Sequence, residues 1–296
     1  MSKYSISKNT KQKIKLLNST IIIPYRGSAI RNRILYRILD SLVFNFKTNI
    51  FIAEHDVKTT LNLKQKSRWK NIRHDFIQAK PNELFDRTGT LNYLIKNSNT
   101  DIVFNHDADI VIHPYAYQHA EKLLLRKQFD FIMPHNGMGW NVKHSFSYPG
   151  DINLMNTTKK VTLEFINSVI KKNNKIIDLR WRAARGGIIA IRRSDYIAAG
   201  MENQNIISWG FEDFERLHRF ETLGYKVYGG FLSDNKIFKK YYMYHYDHNL
   251  DRGANSTANP HKKSNEAVYN KIKNMNKDQI LKEIATWHWL RNIGVK

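Results

Sequence analysis

The chain has 296 residues, of which 42% are hydrophobic, and it contains no cysteine, which excludes disulfides, thiolate zinc sites and cysteine nucleophiles. Lysine and arginine total 48 against 26 acidic residues, and the resulting net charge of +22 favours an anionic partner such as a nucleic acid, a membrane face or a phosphorylated substrate. An AT-rich genome, which enriches Lys, Asn and Ile together, is the ordinary alternative explanation of this excess.

Strand and helix patterns alternate along the first half of the chain. Buried strands are predicted at "STIIIPYRG", "NIFIAEHD", "RHDFIQAK", "DIVFNHDADIVI" and "FDFIMPH". Helices are predicted between them at "AIRNRILYRILDSLVFNF", "NELFDRTGTLNYLIKN" and "HPYAYQHAEKLLLRK". This alternation predicts an α/β fold with a mainly parallel sheet and helices on both faces. In such folds, ligands bind at the carboxyl ends of the strands.

The pattern weakens between residues 136 and 185, where "NGMGW" and "SYPGD" are loop signals and one helix is predicted around "KVTLEFINSVIKK". It resumes with a strand and a short helix in "GGIIAIRRSDYIAAG" and a helix in "EDFERLHRFETLG". Two strands are predicted at "YKVYGG" and "KKYYMYHYDH". The last stretch, which begins at "SNEAVYN", is helical and is predicted to pack on the domain or on a membrane face.

Two carboxylates interrupt the apolar stretch "DIVFNHDADIVIHP". On a regular strand, Asp107 and Asp109 would point to the same face, where they would repel each other unless a cation or a proton neutralised them. A hard divalent cation that also binds phosphate oxygens suits such ligands. A solvated turn is the ordinary alternative, because Asp-x-Asp is common by chance. Whether the neighbouring His106 only packs is left open.

Acidic and aromatic residues also meet in "WGFEDFERLHR". Its acids open a helix, where negative charge already suits the helix dipole. Alternatively, a carboxylate beside the ring of Trp209 takes a proton from a hydroxyl, and the ring is a platform for a sugar.

Two other segments carry side chains suited to a site. In "YYMYHYDHN", His245 or His248 could complete a metal site with Asp109, although a lone histidine is usually structural. In "IIIPYRG", a ring and a guanidinium follow a strand, which suits stacking on a base and pairing with phosphate. An exposed arginine in a strand-to-helix turn is the alternative there.

Four blocks follow one another as "TIIIPYRG", "LFDRTGTLN", "VFNHDADIVIHP" and "ARGGIIAIRRSDYIAAGMENQNIISWGFEDFERLHRF". In this order they resemble the metal-dependent glycosyltransferases of the GT-A fold, in particular the β-1,4-galactosyltransferase and chondroitin-polymerase type. The resemblance implies a Rossmann-like α/β domain, with a mixed, mainly parallel sheet flanked by helices, over residues 19–250. A basic N-terminal segment would occupy residues 1–18, and a basic helical extension residues 251–296.

The resemblance also implies a metal and nucleotide site. Asp109 would bind the metal directly, with His245 as the later ligand. His248 is its rival, because Met243 and His245 do not keep the family's Met-x-x-His spacing. The donor and its nucleotide would be bound by Pro24, Tyr25, Arg26, Arg87, Asp107, Gly186 and Gly187.

Catalysis and acceptor binding are implied in the same way. Asp213 would be the general base, and Glu212 and Trp209 would bind the acceptor sugar. Phe211 replaces the second glycine of the family's Trp-Gly-Gly, and we expect its ring to narrow the pocket. Ala184 falls where galactose-specific members carry a bulky tyrosine, which favours an N-acetylhexosamine donor. Retaining GalNAc-transferases carry Asp-x-His and Glu-Asn at the two motifs, so both differences favour inversion.

The sequence thus predicts an inverting glycosyltransferase that uses Mn²⁺ or Mg²⁺ and moves Gal, GalNAc or GlcNAc from a UDP-sugar. The acceptor would be a glycan or glycolipid in surface polysaccharide synthesis. A nucleic-acid-binding protein and a metal-dependent phosphoesterase are the alternatives. The sequence contains no recognisable nucleic-acid-binding motif, so no nucleic acid partner is expected. A phosphoesterase would need more clusters of His and Asp than the sequence contains.

The chain contains no run of about 18 apolar residues, and its start has no apolar region of a secretory signal. We therefore expect a cytoplasmic protein that lies peripherally on the inner face of the membrane. Its basic ends would contact the anionic surface, where a lipid-linked or anionic glycan acceptor would be found.

Overall fold

The computed structural model describes residues 12–63, 67–142, 177–232, 234–248 and 259–291. The strands are β1 (Ile14–Tyr25), β2 (Phe46–Asp56), β3 (Ile72–Gln78), β4 (Ile102–His106), β5 (Ile110–Val111), β6 (Phe131–Met133), β7 (Gly139–Val142), β8 (Ile177–Trp181), β9 (Ile188–Arg192), β10 (Val227–Gly229) and β11 (Met243–Tyr246). The helices are α1 (Ala29–Asn45), α2 (Arg87–Lys96), α3 (Pro114–Leu125), α4 (Arg193–Ala198), α5 (Glu212–Leu223), α6 (Lys262–Lys273) and α7 (Lys277–Thr286).

The strands form two sheets within the described part of the chain. The larger has the order β10-β6-β9-β4-β1-β2-β3, and the smaller has the order β5-β11-β7-β8. In the larger sheet, β9 is antiparallel to β4 and β6, while the other neighbouring strands are parallel. The parallel strands β1, β2 and β4 therefore end at the same edge, and β9 begins there.

The larger sheet is buried on both faces because its strands carry unbroken apolar runs. In β1, Ile21 and Ile23 pack on one face with helices α1 and α3. Ile22 packs on the other face with α2, α5 and the C-terminal helices. This alternation follows from the two-residue period of a strand. The predicted α/β fold, with a mixed, mainly parallel sheet flanked by helices, is confirmed.

Helix ends agree with local sequence. Ser28 precedes α1 and its side chain accepts a hydrogen bond from the Arg31 amide, while Asp86 caps α2 in the same way through Gly89. A capping box between Asn276 and Gln279 opens α7. These caps satisfy amide groups that have no partner inside the helix, so they fix where each helix begins.

Several element predictions need correction. Strand β1 begins at Ile14, inside the predicted N-terminal segment, and passes through Pro24. The proline is tolerated because pairing with β4 ends at Ile22. Strands β7 and β8 were missed, since the sequence there reads as loop. The helix predicted around "KVTLEFINSVIKK" lies outside the described residues.

The helices of the C-terminal extension pack on the domain. Ile272 of α6 and Ile280 and Ile284 of α7 join the same apolar cluster as α5 and the sheet. Trp287 and Trp289 stack at a centroid distance of 4.8 Å and are also buried there. The sequence left open whether this extension packs on the domain or on a membrane face, and the structure shows that it packs on the domain. No described helix is long and apolar enough to span a membrane.

Candidate active site

A cleft of about 510 Å³ opens at the edge where β1, β2 and β4 end. Its walls come from the segments that follow β1 and β4, from the segment before α2, from the start of α5 and from the segment that follows β11. The predicted site residues that line it are Pro24, Arg26, Arg87, Asp107, Asp109, Trp209, Glu212, Asp213 and His248. The topology therefore brings together residues that are up to 224 positions apart (248 − 24).

The stretch that carries the two carboxylates is not one continuous strand. Strand β4 ends at His106, a turn holds Asp107 and Asp109, and β5 then continues in the other sheet. The Asp107 amide donates to the Gly187 carbonyl across the sheet edge, at 2.8 Å. The prediction that both carboxylates lie on one regular strand is therefore wrong. The two carboxylates face different partners instead, Arg87 for Asp107 and two histidines for Asp109.

His106 is a structural residue. It is fully buried, and its Nδ1 lies 2.7 Å from the carbonyl oxygen of Asp107. Its Nε2 lies 2.8 Å from the hydroxyl of Tyr117. Burial lowers the pKa of His106 to about 4, so the ring is neutral and both of its nitrogens are engaged. It orients the turn that carries the carboxylates.

Asp109 faces two histidines. One of its carboxylate oxygens lies 3.0 Å from Nε2 of His248 and 3.7 Å from Nε2 of His245. One ligand atom from each residue falls within 4.8 Å of the others. Although burial raises the pKa of Asp109, the histidines and Arg31 outweigh it and hold that pKa below its usual value. An ionised carboxylate and two imidazoles suit Mn²⁺ or another divalent cation.

The surroundings of His245 favour a ligand role. Burial lowers its pKa to about 4, so the imidazole is neutral, as metal binding requires. Its Nδ1 lies 2.9 Å from Oδ1 of Asn141, on β7, and 2.9 Å from Arg180, on β8. The two contacts require opposite tautomers, because Arg180 can only donate to Nδ1 whereas Oδ1 of Asn141 can only accept from it. The tautomer in which Nδ1 donates to Asn141 is the one that leaves the lone pair of Nε2 toward Asp109, as metal binding needs. The geometry thus admits His245 and His248 together, rather than only one of them.

Arg87 links the metal side of the cleft to α5. It forms an ion pair with Asp107, and its Nε lies 3.9 Å from Glu212. Its Nη1 is buried and has no hydrogen-bond partner within the described structure. This arginine therefore neutralises Asp107 and still offers a donor to a ligand.

The start of α5 is unusual. Its N-cap, Phe211, has φ of 72°, a left-handed conformation that is costly for a residue with a side chain and that favours glycine. The ring of Phe211 stacks on Tyr269 of α6 at 5.9 Å and does not line the cleft. The expectation that this ring narrows the pocket is therefore wrong.

Asp213 is held from behind by a buried network. Its carboxylate pairs with Arg216, which also donates to both oxygens of Glu202 at 2.8 and 3.0 Å. Glu202 in turn accepts a hydrogen bond from the buried hydroxyl of Tyr196. The side chain of Asp213 is 28% exposed against 1% for Arg216, so the network anchors one side of a carboxylate that still reaches the cleft.

Two glycines allow the start of β9 to approach these carboxylates. A Cβ on Gly186 would lie 1.9 Å from Oδ2 of Asp213. Gly187 has φ of 85°, and its carbonyl accepts the Asp107 amide. Neither glycine lines the cleft, so in this structure they position Asp107 and Asp213 rather than contact the cleft space.

Trp209 lies in a loop that the C-terminal helices hold. Asn265 of α6 is fully buried and donates to the Ile207 carbonyl at 2.9 Å, while its Oδ1 accepts the Ile207 amide at 2.9 Å. Asn259 donates to the Trp209 carbonyl. The helical extension is therefore part of the scaffold of the site.

Tyr25 lies outside the cleft, unlike its neighbours Pro24 and Arg26. It is fully buried and its hydroxyl donates to Asn32, so its ring is not available for stacking on a base. The Arg26 guanidinium donates to the Glu83 carbonyl at 2.6 Å. Arg26 therefore lines the cleft, as predicted for a donor-binding residue. The position of Tyr25 does not support its predicted role in binding the nucleotide.

Sequence reasoning missed some residues around the site. Arg31 and Ser208 line the cleft, but both lie in segments whose patterns indicate only a helix and a loop. Asn141 and Arg180 support His245 from two strands that the sequence does not reveal. Arg216 resembles any surface arginine in an amphipathic helix, and only the fold shows that it is buried.

Glu212 gives the site a testable pH dependence. Burial and the nearby Asp213 raise its pKa to about 7, although Arg87 opposes the shift. The folded protein therefore binds this proton more tightly than the unfolded chain. Its contribution to stability is present below pH 4.5 and is lost as the pH rises to about 7. We expect Glu212→Gln to remove about 1–3 kcal/mol of pH-dependent stability in this window, measured by urea unfolding.

The exposed Glu266 of α6 is a matched control, and Glu266→Gln should leave the pH dependence unchanged. An identical pH profile for the wild type and Glu212→Gln would show that folding does not raise the pKa of Glu212.

Residues 168–248 match the family model described as the N-terminal domain of galactosyltransferase. The resemblance predicted from the sequence is thereby confirmed, and the chain is galactosyltransferase-like over these residues. This segment contains Gly186, Gly187, Trp209, Asp213 and both histidines of the candidate metal site.

Among solved structures, the chain is similar to one titled "Crystal structure of GalNAc-T7 with UDP, GalNAc and Mn2+", with 14% sequence identity and a TM-score of 0.47. The similarity covers 78% of this chain and 43% of that chain, so this chain spans less than half the length of that protein. A comparison with curated proteins finds no match.

Proposed function

We propose that this protein is an inverting, metal-dependent glycosyltransferase that moves a hexose or an N-acetylhexosamine from a UDP-sugar to a glycan or glycolipid. The observation that carries the proposal is the placement of a His/His/Asp ligand set and an anchored carboxylate, Asp213, around one cleft. The match of residues 168–248 to a galactosyltransferase domain supports the same class of reaction.

Asp109, His245 and His248 would hold the cation. A divalent cation bound there would supply positive charge that stabilises the diphosphate leaving group. Arg87 would assist the same charge through its unpartnered Nη1. The ion pair with Arg87 fixes Asp107 beside the nucleotide, where its other carboxylate oxygen can accept a hydrogen bond from the ribose.

Asp213 would act as the general base. It accepts the proton of the acceptor hydroxyl as that oxygen bonds to the anomeric carbon of the donor and the bond from that carbon to the diphosphate breaks. Base assistance of this kind is worth about 10²–10⁴-fold. Attack on the face opposite the leaving group inverts the configuration. The ion pair with Arg216 holds the orientation of the Asp213 carboxylate.

Glu212 would bind the acceptor sugar beside Trp209. With a pKa of about 7, its carboxyl can donate or accept a hydrogen bond near neutral pH. Trp209 lines the same cleft and offers an apolar face to a sugar ring. The small Ala184 supports an N-acetylhexosamine as the transferred sugar, on the sequence comparison with galactose-specific enzymes.

The proposal extends to the place of action. The net charge of +22 supports a lipid-linked or anionic acceptor at the inner face of a membrane, in the synthesis of a surface polysaccharide by a cytoplasmic enzyme.

The test is a screen of UDP-Gal, UDP-GalNAc, UDP-Glc and UDP-GlcNAc with and without Mn²⁺, read as UDP release and as glycoside product. We expect one or two of these donors to be used, and only with the metal. Tight binding of DNA or RNA, together with no turnover of any UDP-sugar, would overturn the proposal.

A further inference from the structure

Another cavity, of about 340 Å³, lies at the edge of the larger sheet opposite the cleft. It opens where β1, β2 and β3 begin, whereas the cleft lies where β1, β2 and β4 end. Its lining includes the lysines Lys13, Lys15 and Lys47 and the apolar residues Val43, Ile50 and Ile72. No acidic residue is among the described residues that line it. The cavity is therefore both basic and partly apolar.

Two of these lysines lie side by side on neighbouring strands. Lys15 of β1 pairs with Lys47 of β2 in the parallel register, and the backbones of such strands are about 4.8 Å apart. Lys13, which directly precedes β1, lines the same cavity, and all three lysines are exposed. No ion pair in the described part of the chain involves any of them. The fold thus holds three unbalanced positive charges together, and a bound anion would relieve their repulsion.

Strand β1 exposes an apolar side chain next to these charges. Its pairing register with β2 shifts just after Lys15. The hydroxyl of Thr48 lies 3.1 Å from the carbonyl oxygens of both Leu16 and Ser19, so the shifted segment is held in place. Within this segment Leu17 is 58% exposed. A large apolar side chain is therefore fixed at the surface two residues beyond a lysine of the cavity.

The end of α1 exposes another large apolar side chain. Phe44 is 53% exposed and directly follows Val43, which lines the cavity. We call Lys13, Lys15, Leu17, Phe44 and Lys47 the basic edge. Lysines beside exposed apolar side chains suit the interfacial region of a membrane, where ammonium groups contact lipid phosphates and apolar side chains enter between the headgroups. A nucleic acid also offers phosphates, but its backbone has no apolar layer for Leu17 and Phe44.

We propose that the basic edge is a docking surface for a membrane that contains anionic phospholipids, and that the cavity takes a phospholipid headgroup. A volume of about 340 Å³ is at the lower end for ligand sites, so it suits a headgroup rather than a whole lipid. Residues 1–11 directly precede Gln12, which lines the cavity, and they add three lysines and no acidic residue.

This inference supplies a surface for the membrane location proposed above, and it does not depend on the chemistry of sugar transfer. Docking through the basic edge leaves the cleft open, because the cleft lies at the opposite edge of the sheet. Loss of docking is therefore expected to leave transfer to a soluble acceptor unchanged.

The test is sedimentation of the full chain with vesicles of phosphatidylcholine that contain phosphatidylglycerol, with pure phosphatidylcholine vesicles as the blank. We expect binding only to the anionic vesicles, and weaker binding as the salt concentration rises. Replacing Lys13, Lys15 and Lys47 together by glutamine should weaken binding by about 100-fold, since each lysine near an anionic surface contributes roughly fivefold. Leu17→Ser should weaken it roughly 3- to 10-fold without a change in charge.

The matched control replaces three exposed lysines elsewhere, Lys239, Lys263 and Lys282, by glutamine, and it should bind nearly as the wild type does. Equal losses in the two triple variants would overturn the inference, because binding would then follow net charge alone. Tighter binding of a DNA duplex than of the vesicles through Lys13, Lys15 and Lys47 would also overturn it. So would displacement of the vesicles by inorganic phosphate but not by sodium chloride of the same ionic strength.

The two proposals can fail separately. If the wild type uses a UDP-sugar but does not bind the anionic vesicles, the docking surface fails while the glycosyltransferase stands. If the wild type binds the vesicles through the basic edge but uses no UDP-sugar, the proposed function fails while the docking surface stands.

Discussion

The Asp213→Asn variant is expected to lose about 10²–10⁴-fold in sugar transfer while it binds UDP nearly as tightly as the wild type. The amide keeps the shape of the side chain but cannot take the proton from the acceptor hydroxyl. It also weakens the contact with Arg216, which stays buried beside Glu202. Initial rates of product formation at saturating donor, together with calorimetric titration of UDP, separate the two effects.

Asp278 is a matched control, because it is an exposed aspartate that also lies in the first turn of a helix. Asp278→Asn should transfer sugar at the wild-type rate. A normal rate in Asp213→Asn would show that another group is the base, and Glu212 would then be the nearest alternative.

The Asp109→Ala variant is expected to lose metal-dependent UDP binding. Among the described residues, Asp109 supplies the carboxylate of the candidate metal cluster, and its ligand atom lies within 4.8 Å of those of His245 and His248. Removing a residue that only hydrogen-bonds a metal ligand typically weakens metal binding by about 10–100-fold, so loss of this direct ligand should weaken it by more than about 100-fold. Titration of UDP with and without Mn²⁺ measures the effect.

His245→Ala and His248→Ala should each weaken the metal dependence, because the geometry brings both rings to Asp109. Asp234→Ala, at an exposed aspartate, should leave it unchanged. Equal Mn²⁺ stimulation of UDP binding in Asp109→Ala and the wild type would place the metal elsewhere.

The central strands could be predicted because their apolar runs are long and uninterrupted. Strand β1 has seven consecutive buried residues from Ser19 to Tyr25, a pattern that surface elements do not show. Strands β7 and β8 were not predictable in this way. Both are short, and the glycine-rich sequence around Met138 is typical of a loop although its backbone pairs with β11 and β8.

The carboxylates illustrate a different limit. Spacing along the sequence placed Asp107 and Asp109 on one strand, but the chain leaves the larger sheet between them. Tertiary contacts then assign Arg87 to Asp107 and the histidines to Asp109. Such partners are distant in sequence, so periodicity alone could not provide them. The order of the motifs did predict that these residues belong to one site.

Phe211 shows how a local substitution can be misread. Its ring was expected in the pocket because it replaces a glycine of the resembled motif. The sequence gave no indication that α6 would lie close enough to contact this ring. The left-handed backbone instead turns the side chain toward Tyr269. The same helix supports the Trp209 loop, so the C-terminal extension contributes to the site in a way that composition did not indicate.

The most direct test of inverting, metal-dependent transfer is the anomeric configuration of the product, read from the ¹H NMR coupling of its new anomeric proton. With an α-linked UDP-sugar, an acceptor and Mn²⁺, the proposed role of Asp213 as the base that activates the acceptor for attack opposite the leaving group predicts a β-linked glycoside, and no product when the metal is chelated. An α-linked product, or the same yield without metal, would contradict the mechanism.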